Sequence, residues 1–209
     1  MTQMTAQRIT IFPLPGVILF PGLQLPLHMF EPRYKAMVSD AMARDRQIGM
    51  IQPREPEQEG QPPALFDMGC LGRIADVEAL DDGRYNVLLD GIARFRLVRE
   101  LDVTTPFRQV EGELIEEVEE ALAAAERAAL EQEAKRFANA QGYSVDWDSV
   151  ARLDDVSMVN GVAQIAPFDS AAKQALLEAE TLSQRTELLI QLMQFFGRRD
   201  RDEDSVTLQ

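Results

Sequence analysis

The chain has 209 residues, of which 45% are hydrophobic and 27% are charged, a composition typical of a globular protein with a substantial core. Its formal net charge of -14 disfavours nucleic acid as a partner, because a nucleic-acid binder must neutralise phosphates. A single cysteine and a single histidine exclude an internal disulfide, a cysteine-based zinc cluster and a multi-histidine metal site.

The most apolar stretch, FPLPGVILFPGLQLPLHMFEPRY, occupies residues 12–34. Its repeated prolines predict neither a helix nor an ordinary central strand. The Pro-Gly pairs at 15–16 and 21–22 are typical of turns, and they leave pieces too short to span a membrane. Because the preceding MTQMTAQR has no cluster of positive charge and no cleavage site follows, a signal peptide is not expected, and the predicted location is the cytoplasm.

The β signals begin with a short strand, RITIF, at residues 8–12. A helix is predicted from Pro32 to Asp45, with proline suited to its first turn. Its apolar face recurs at helical spacing through Tyr34, Met37, Val38 and Ala41. A strand, RQIGMIQ, and a polar proline-rich loop at residues 53–64 follow, and the loop is predicted to be long and mobile.

A hairpin signal comes next, in which the turn DDG joins residues 70–80 to residues 84–91. Two more strands are predicted at residues 92–102 and 107–116. Alternation along the first of these predicts that Arg94 and Arg96 lie on a solvated outer face. About six strands and one short helix predict a small closed or nearly closed barrel.

From about residue 116 the pattern becomes helical, with four helices predicted at residues 116–142, 154–167, 170–180 and 183–196. The first helix has a predicted apolar stripe, and Thr181 and Ser183 are available as caps. The stripe consists of Val118, Leu122, Ala125, Ala129 and Phe137. The fold class is therefore α+β, with a β-rich domain at 1–115, a helical domain at 116–197 and a charged flexible tail at 198–209.

A search for catalytic motifs finds no phosphate-binding loop and no nucleophile elbow. Cys70 lies among apolar strand residues and is predicted to be a buried, inert thiol. His28 has no partner visible in the sequence, so a packing or surface role is expected. The acidic pairs at 81–82 and 154–155 suit a turn and a helix cap. The chain is predicted not to be an enzyme and to hold no cofactor or metal.

The motif FPLPGVILFPGLQLPLHMFEPRYKAMVSDAM resembles the opening of the Lon protease N-terminal domain family, also called the Lon substrate-binding domain. DDGRYNVLLDGIARFRL and AKQALLEAETLSQR are similar to later landmarks of that family. The resemblance implies a PUA-like β pseudo-barrel followed by a C-terminal helical bundle. It also implies a stand-alone member without the ATPase and protease modules, because the phosphate-binding loop is absent and the chain is short.

By analogy with the family, the chain is expected to be a polypeptide-binding or adaptor module that contacts exposed apolar segments of client proteins. A protease or a chaperone is a candidate partner, and a membrane is not. The candidate contact residues, expected beside a groove between barrel and helices, are Phe12, Leu14, Leu19, Phe20, Leu25, Leu27, Phe30, Glu31, Arg33 and Tyr34.

Two alternatives remain open at this point. The proline-rich segment could instead pack entirely into the barrel. The prediction that separates these readings is that at least two of five leucine and phenylalanine residues are substantially exposed: Leu14, Leu19, Phe20, Leu25 and Leu27. The rival function is RNA binding, for which other PUA-like proteins use the fold and which the acidic balance disfavours.

Overall fold

The computed structural model of the chain describes residues 6–55, 62–116 and 121–206. It divides into two compact units, Met1–Val118 and Glu119–Gln209. Strands and one helix form the first unit, and helices form the second. The predicted α+β class, with strands followed by helices, is confirmed, whereas the domain limits at residues 115, 116 and 197 stay predictions.

The described part of the first unit contains six strands and one helix. They are β1 (Ala6–Pro13), β2 (Gln24–Met29), α1 (Pro32–Ala43), β3 (Gln47–Pro53), β4 (Leu65–Ala79), β5 (Tyr85–Glu100) and β6 (Gln109–Leu114). The predicted count of strands is right, but two of the strands differ. β5 is one continuous strand where two were predicted. β2 was not predicted, because the prolines of its segment are atypical of an ordinary strand. The tip of the predicted 53–64 loop lies outside the described residues.

Five of the strands close a barrel. β1, β3, β4, β5 and β6 pair in that order, and β6 returns to β1; only the β1–β3 pair is parallel. β5 is long enough to pair with β2 through residues 85–90 and with β6 through residues 95–100. β2 therefore lies outside the ring as an edge strand, a position that tolerates Pro26. The predicted small barrel is confirmed.

Phe95 fills the barrel interior. Its side chain is fully buried and packs in a cluster with Ile9, Ile11 and other apolar residues. Three glycines make room for the ring: a Cβ added to Gly69 would lie 2.5 Å from Phe95 Cζ, and one added to Gly49 would lie 3.0 Å from Phe95 Cε1. The third is Gly112. A large aromatic side chain fits this narrow barrel because its neighbours have no side chains.

Helix α1 buries the face that the sequence predicts, through Tyr34, Met37, Val38 and Ala41. Pro32 occupies its first turn, as expected. The ring of Tyr34 packs against that of Phe12, with 4.4 Å between centroids.

Arg94 contradicts the predicted solvated face of β5. It is only 4% exposed, whereas Arg96 is exposed as expected. The chain continues past β6 alongside this position, where the Ile115 N–H donates to the Arg94 carbonyl at 2.8 Å. Arg94 and Phe95 are consecutive and both buried, so both faces of β5 are covered at this point, although alternation alone assigns one of them to solvent.

The described part of the second unit contains five helices. They are α2 (Ala124–Ala140), α3 (Trp147–Val150), α4 (Asp155–Ile165), α5 (Ser170–Glu178) and α6 (Leu182–Val206). The short α3 was not predicted. α6 continues to Val206, into the segment predicted as a tail, whose flexibility stays a prediction. Residues 207–209 of that tail lie outside the described residues.

The apolar stripe predicted for α2 is largely wrong. Ala125 and Ala129 are exposed, and the buried face runs instead through Leu130, Ala134 and Phe137. The predicted Val118 lies outside the described residues, and Leu122 precedes the helix, which begins at Ala124. The alanine-rich sequence offers several apolar faces, so packing against α6 selects the one with the larger side chains.

A buried arginine ties together three helices of the second unit. Arg185 of α6 is 3% exposed; it donates to Asn160 Oδ1 of α4 at 2.8 Å and to the Leu176 carbonyl of α5 at 3.0 Å. A cation near the last carbonyls of a helix is also favourable to the helix dipole. Two predicted caps are confirmed nearby, since Asp154 accepts from Ser157 N at 2.8 Å and Thr181 accepts from Gln184 N at 3.1 Å.

Candidate functional site

The proline-rich segment leaves β1 through a turn anchored on β3. Leu14 N donates to the Ile51 carbonyl at 3.2 Å, and Gly16 N donates to Gln52 Oε1 at 3.1 Å. Gly16 has a φ of 75°, a conformation that glycine adopts without strain. The Pro-Gly pair at 15–16 therefore forms the turn that the sequence predicts.

A second turn, at residues 20–23, presses the segment onto β5. Leu23 N donates to the Phe20 carbonyl at 3.2 Å, and Gly22 N donates to the Gly91 carbonyl at 3.0 Å. Gly91 N donates in return to the Leu23 carbonyl at 2.8 Å. A Cβ at Gly91 would lie 2.1 Å from the Phe20 carbonyl oxygen, so only glycine permits this close approach. The missing side chain lets the turn pack directly on β5, which continues through this position with an irregularity in its pairing with β4 at residues 91–93.

Half of the predicted contact residues are therefore core residues. Five of the ten have exposed fractions of at most 8%: Phe12, Leu19, Phe20, Leu27 and Tyr34. Four are half-buried, namely Leu14, Leu25, Glu31 and Arg33, and Phe30 alone of the ten is classed as exposed, at 62%. The prediction that at least two of the five leucine and phenylalanine residues are substantially exposed is wrong. Glycines at 72 and 91 leave room for Leu19 and for the Phe20 backbone, so this segment packs into the core.

What remains at the surface is the free edge of β2. Among the described residues β2 pairs with β5 alone, and apart from that ladder no hydrogen bond joins the backbone of Leu25–Met29 to another described residue. Leu27 and Met29 point into the core, while Pro26 and His28 are exposed. Phe30 follows at the end of the strand with its ring close to that of His28, 6.3 Å between centroids. An unpaired strand edge thus lies next to an exposed aromatic side chain.

The outer face of β2 continues onto β5 and β4 as a hydrogen-bonded polar surface. Gln24 Nε2 donates to Asp90 Oδ1 at 2.9 Å. His28 Nδ1 lies 2.8 Å from Asn86 Oδ1, and Asn86 Nδ2 donates to Glu78 Oε2 at 2.8 Å. Sequence reasoning missed this surface, although the alternation of QLPLHM carries the period of a half-buried strand.

Arg84, in the turn between β4 and β5, completes the polar surface. Its Nη1 lies 3.2 Å from His28 Nε2. The Arg84 guanidinium also contacts Asp82 at 2.5 Å, which holds the pKa of that carboxyl below its usual value. The role of residues 81–82 in a turn is confirmed by the Arg84 N bond to Asp82 Oδ1, 3.1 Å.

Glu31 and Arg33, both predicted contact residues, pair with each other at the start of α1. Arg33 Nε lies 2.9 Å from Glu31 Oε2, and its guanidinium stacks 4.6 Å from the centroid of the Tyr34 ring. Both side chains thus help to fix the N-terminus of α1 on the buried Tyr34.

Residue types suited to metal binding do not converge in the part of the chain that the structure describes. No group of three or more histidine, cysteine, aspartate or glutamate side chains there could hold a metal ion. Cys70 is a buried free thiol, as predicted. No helix within the described residues combines the length and the apolar character needed to cross a membrane.

Comparison with known proteins decides the family. The family model of the ATP-dependent protease La (LON) substrate-binding domain matches residues 8–194. The chain belongs to this family. Lon protease 2 of Myxococcus xanthus is 32% identical over 112 residues, which cover 53% of this chain and 13% of that protein. Lon protease 2 of Bdellovibrio bacteriovorus is 26% identical over 195 residues, 90% of this chain and 24% of that protein.

Solved structures agree with the fold. A Lon N-terminal domain protein from Xanthomonas campestris has a TM-score of 0.66 at 21% identity and covers 88% of this chain and 97% of that one. The N-terminal domain of a Mycobacterium avium complex Lon protease has a TM-score of 0.69 at 18% identity and covers 90% and 98%. The predicted family and PUA-like fold are confirmed. The chain spans about a quarter or less of the length of the Lon proteases above.

Proposed function

We propose that this member of the Lon substrate-binding family recognises polypeptides by pairing an extended client segment with the open edge of β2. The observation that carries the proposal is the edge of Leu25–Met29 that faces away from β5 and forms no backbone hydrogen bond with another described residue, next to Phe30, which is 62% exposed. An incoming strand gains main-chain hydrogen bonds at such an edge, and side-chain contacts supply selectivity. The description of the family as a substrate-binding domain supports the same function.

The proposed site differs from the one expected from the sequence. Of the ten predicted residues, it retains Phe30 as the anchor and Leu25 as a half-buried neighbour. The buried residues instead hold β2 and the start of α1 in place. Because one strand edge and one aromatic anchor must offset the entropy lost on association, the expected affinity is weak, roughly micromolar or weaker.

We further propose that the chain is a non-enzymatic adaptor that works in the cytoplasm and presents clients to a protease or a chaperone. The sequence carries no phosphate-binding loop, and the family match is to a substrate-binding domain. These are the features that support an adaptor over a catalyst.

The test uses a fluorescent nine-residue peptide of alternating threonine and apolar residues, measured by fluorescence anisotropy. A Phe30→Ser variant is expected to weaken binding at least fivefold, because burial of an aromatic ring contributes about 1.5–3 kcal/mol. Its thermal stability should be unchanged, since the ring is 62% exposed. Val98→Ser is the matched control, because Val98 is 49% exposed on β5 away from β2 and should not alter binding.

A second arm tests the backbone contacts. N-methylation of alternate peptide bonds in the probe removes donors on one side of the strand, so one of the two methylation registers should abolish binding and the other should not. Equal binding by both methylated peptides, or equal loss in the Phe30 and Val98 variants, would remove β2 as the site. Retention of single-stranded RNA in preference to every peptide would support the RNA-binding alternative.

A further inference from the structure

The carboxylates beside β2 lack arginine or lysine partners. Asp90 of β5 and Glu78 of β4 each accept a hydrogen bond from a neutral amide, Gln24 and Asn86 respectively. Asp76 of β4 is exposed beside them. None of the three makes an ion pair with another described residue.

This arrangement differs from the rest of the first unit, where carboxylates commonly meet arginines. Asp82 pairs with Arg84 at 2.5 Å, and Glu100 pairs with Arg108 at 2.7 Å. Arg73 is the nearest counter-charge in register, opposite Asp90 on β4, and it forms no ion pair within the described residues. Because the charges of Arg84 and Asp82 cancel in their ion pair, the other three carboxylates and one arginine leave this face negative.

Strand spacing places one of these carboxylates, Asp90, within reach of a bound segment, whereas Asp76 and Glu78 lie one strand further away on β4. Asp90 lies opposite Gln24, and Asp76 lies opposite Leu88, which in turn faces Pro26 of β2. Neighbouring strands lie about 4.8 Å apart, so a strand added to β2 runs about 10 Å from β5. An extended lysine or arginine side chain on the outer face of that strand can span this distance to Asp90.

We propose that this face makes the β2 edge selective for extended segments with lysine or arginine at alternate positions. The inference rests on the proposed function and names its substrate class. Apolar side chains at the intervening positions of the segment would face the half-buried Leu25, while the exposed Phe30, whose ring lies beside that of His28, borders the outer face. The same charges disfavour a second copy of this chain at the β2 edge, because edge-to-edge pairing would bring the negative faces of both copies together.

The experiment compares three nine-residue peptides that differ only at three alternating outer positions, which are all lysine, all threonine or all glutamate. In 20 mM salt the lysine peptide should bind roughly fivefold more tightly than the threonine peptide and the glutamate peptide more weakly than both. This is the effect expected for one exposed ion pair with Asp90 and a weaker attraction to the two carboxylates on β4. The preference should shrink at 300 mM salt because exposed charges are screened.

The variant E78Q/D90N keeps the shape of the face and the acceptor oxygens while it removes two charges. It should bind the threonine peptide as the wild type does and lose most of the preference for lysine. The matched control is E180Q/E187Q in the second unit, which changes net charge equally and should keep the preference.

The outcomes are distinguishable. If no peptide binds, the proposed function fails and this inference fails with it. Equal binding of the three peptides, still sensitive to Phe30→Ser, would leave the proposed function standing and overturn the selectivity. An equal loss in the E180Q/E187Q control would assign the preference to net charge and overturn it as well. A dimer that peptides dissociate would assign the edge to a second copy.

Discussion

The crossing of the proline-rich segment over β5 provides the sharpest test of the fold, through the substitution Gly91→Ala. A Cβ at this position would lie 2.1 Å from the Phe20 carbonyl oxygen and 2.9 Å from its carbon. An ordinary contact begins at 3.4 Å, so the backbone of the turn would have to retreat by about 1.3 Å. No flexible side chain can absorb the clash, because both opposing atoms are backbone.

The cost can be worked out from two contributions. Overpacking at a tight contact typically costs about 1–3 kcal/mol. The retreat would also weaken the two hydrogen bonds between this turn and Gly91, of 2.8 and 3.0 Å, each worth about 1 kcal/mol. Alanine restricts the unfolded chain and returns about 0.5–1 kcal/mol. The net expectation is a loss of about 3 kcal/mol in the free energy of unfolding.

The measurement is urea denaturation followed by far-ultraviolet circular dichroism, supported by hydrogen exchange of β5 amides. A loss of this size lowers the urea midpoint by roughly 1–3 M. Gly22→Ala is the control within the same turn, because Gly22 has a φ of 80° but open space around it, and strain alone should cost about 1–2 kcal/mol. Trp147 lies in the second unit, so its fluorescence reports on that unit separately.

A helical glycine supplies the opposite expectation. A Cβ at Gly161 in α4 meets nothing within 4 Å, so Gly161→Ala should stabilise the second unit by about 0.5–1 kcal/mol.

If Gly91→Ala costs less than 0.5 kcal/mol, or no more than Gly22→Ala, the argument that close backbone approach requires glycine at position 91 is refuted.

Two further predictions concern the second unit. Arg185→Met should lower its unfolding free energy by about 3 kcal/mol, because Asn160 and a helix carbonyl lose a buried donor; an unchanged urea midpoint by tryptophan fluorescence would contradict this. Hydrogen bonds from the Leu122 N–H and the Arg127 guanidinium hold the pKa of Asp155 below its ordinary 3.8. The stability that ionised Asp155 gives the folded state is therefore present above pH 3.8 and is lost as the pH falls through the lower, folded-state pKa. Between pH 5 and 2, the free energy of unfolding of Asp155→Asn should therefore fall less than that of the wild type in parallel urea titrations. An equal fall with pH in both proteins would refute this role of Asp155.

The sequence by itself determined the features that depend on local chemistry. Helical spacing predicted the buried face of α1, and turn residues predicted the hairpin at 81–83 and the two Pro-Gly turns. Capping chemistry predicted the roles of Asp154 and Thr181. In each case the deciding interactions lie within a few residues, so one chain segment contains all the information. The motif of residues 12–34 likewise carried enough to name the family.

The tertiary structure alone decided which side of the proline-rich segment faces solvent. A pattern of alternating prolines and leucines does not predict which residues pack against it. Here the segment packs against glycines at 72 and 91, far along the chain. Those missing side chains let Leu19 and Phe20 enter the core. The same long-range pairing leaves β2 with one partner and an open edge, since β5 divides its length between β2 and β6. Exposure is a property of both surfaces in a contact, and the sequence of one of them cannot settle it.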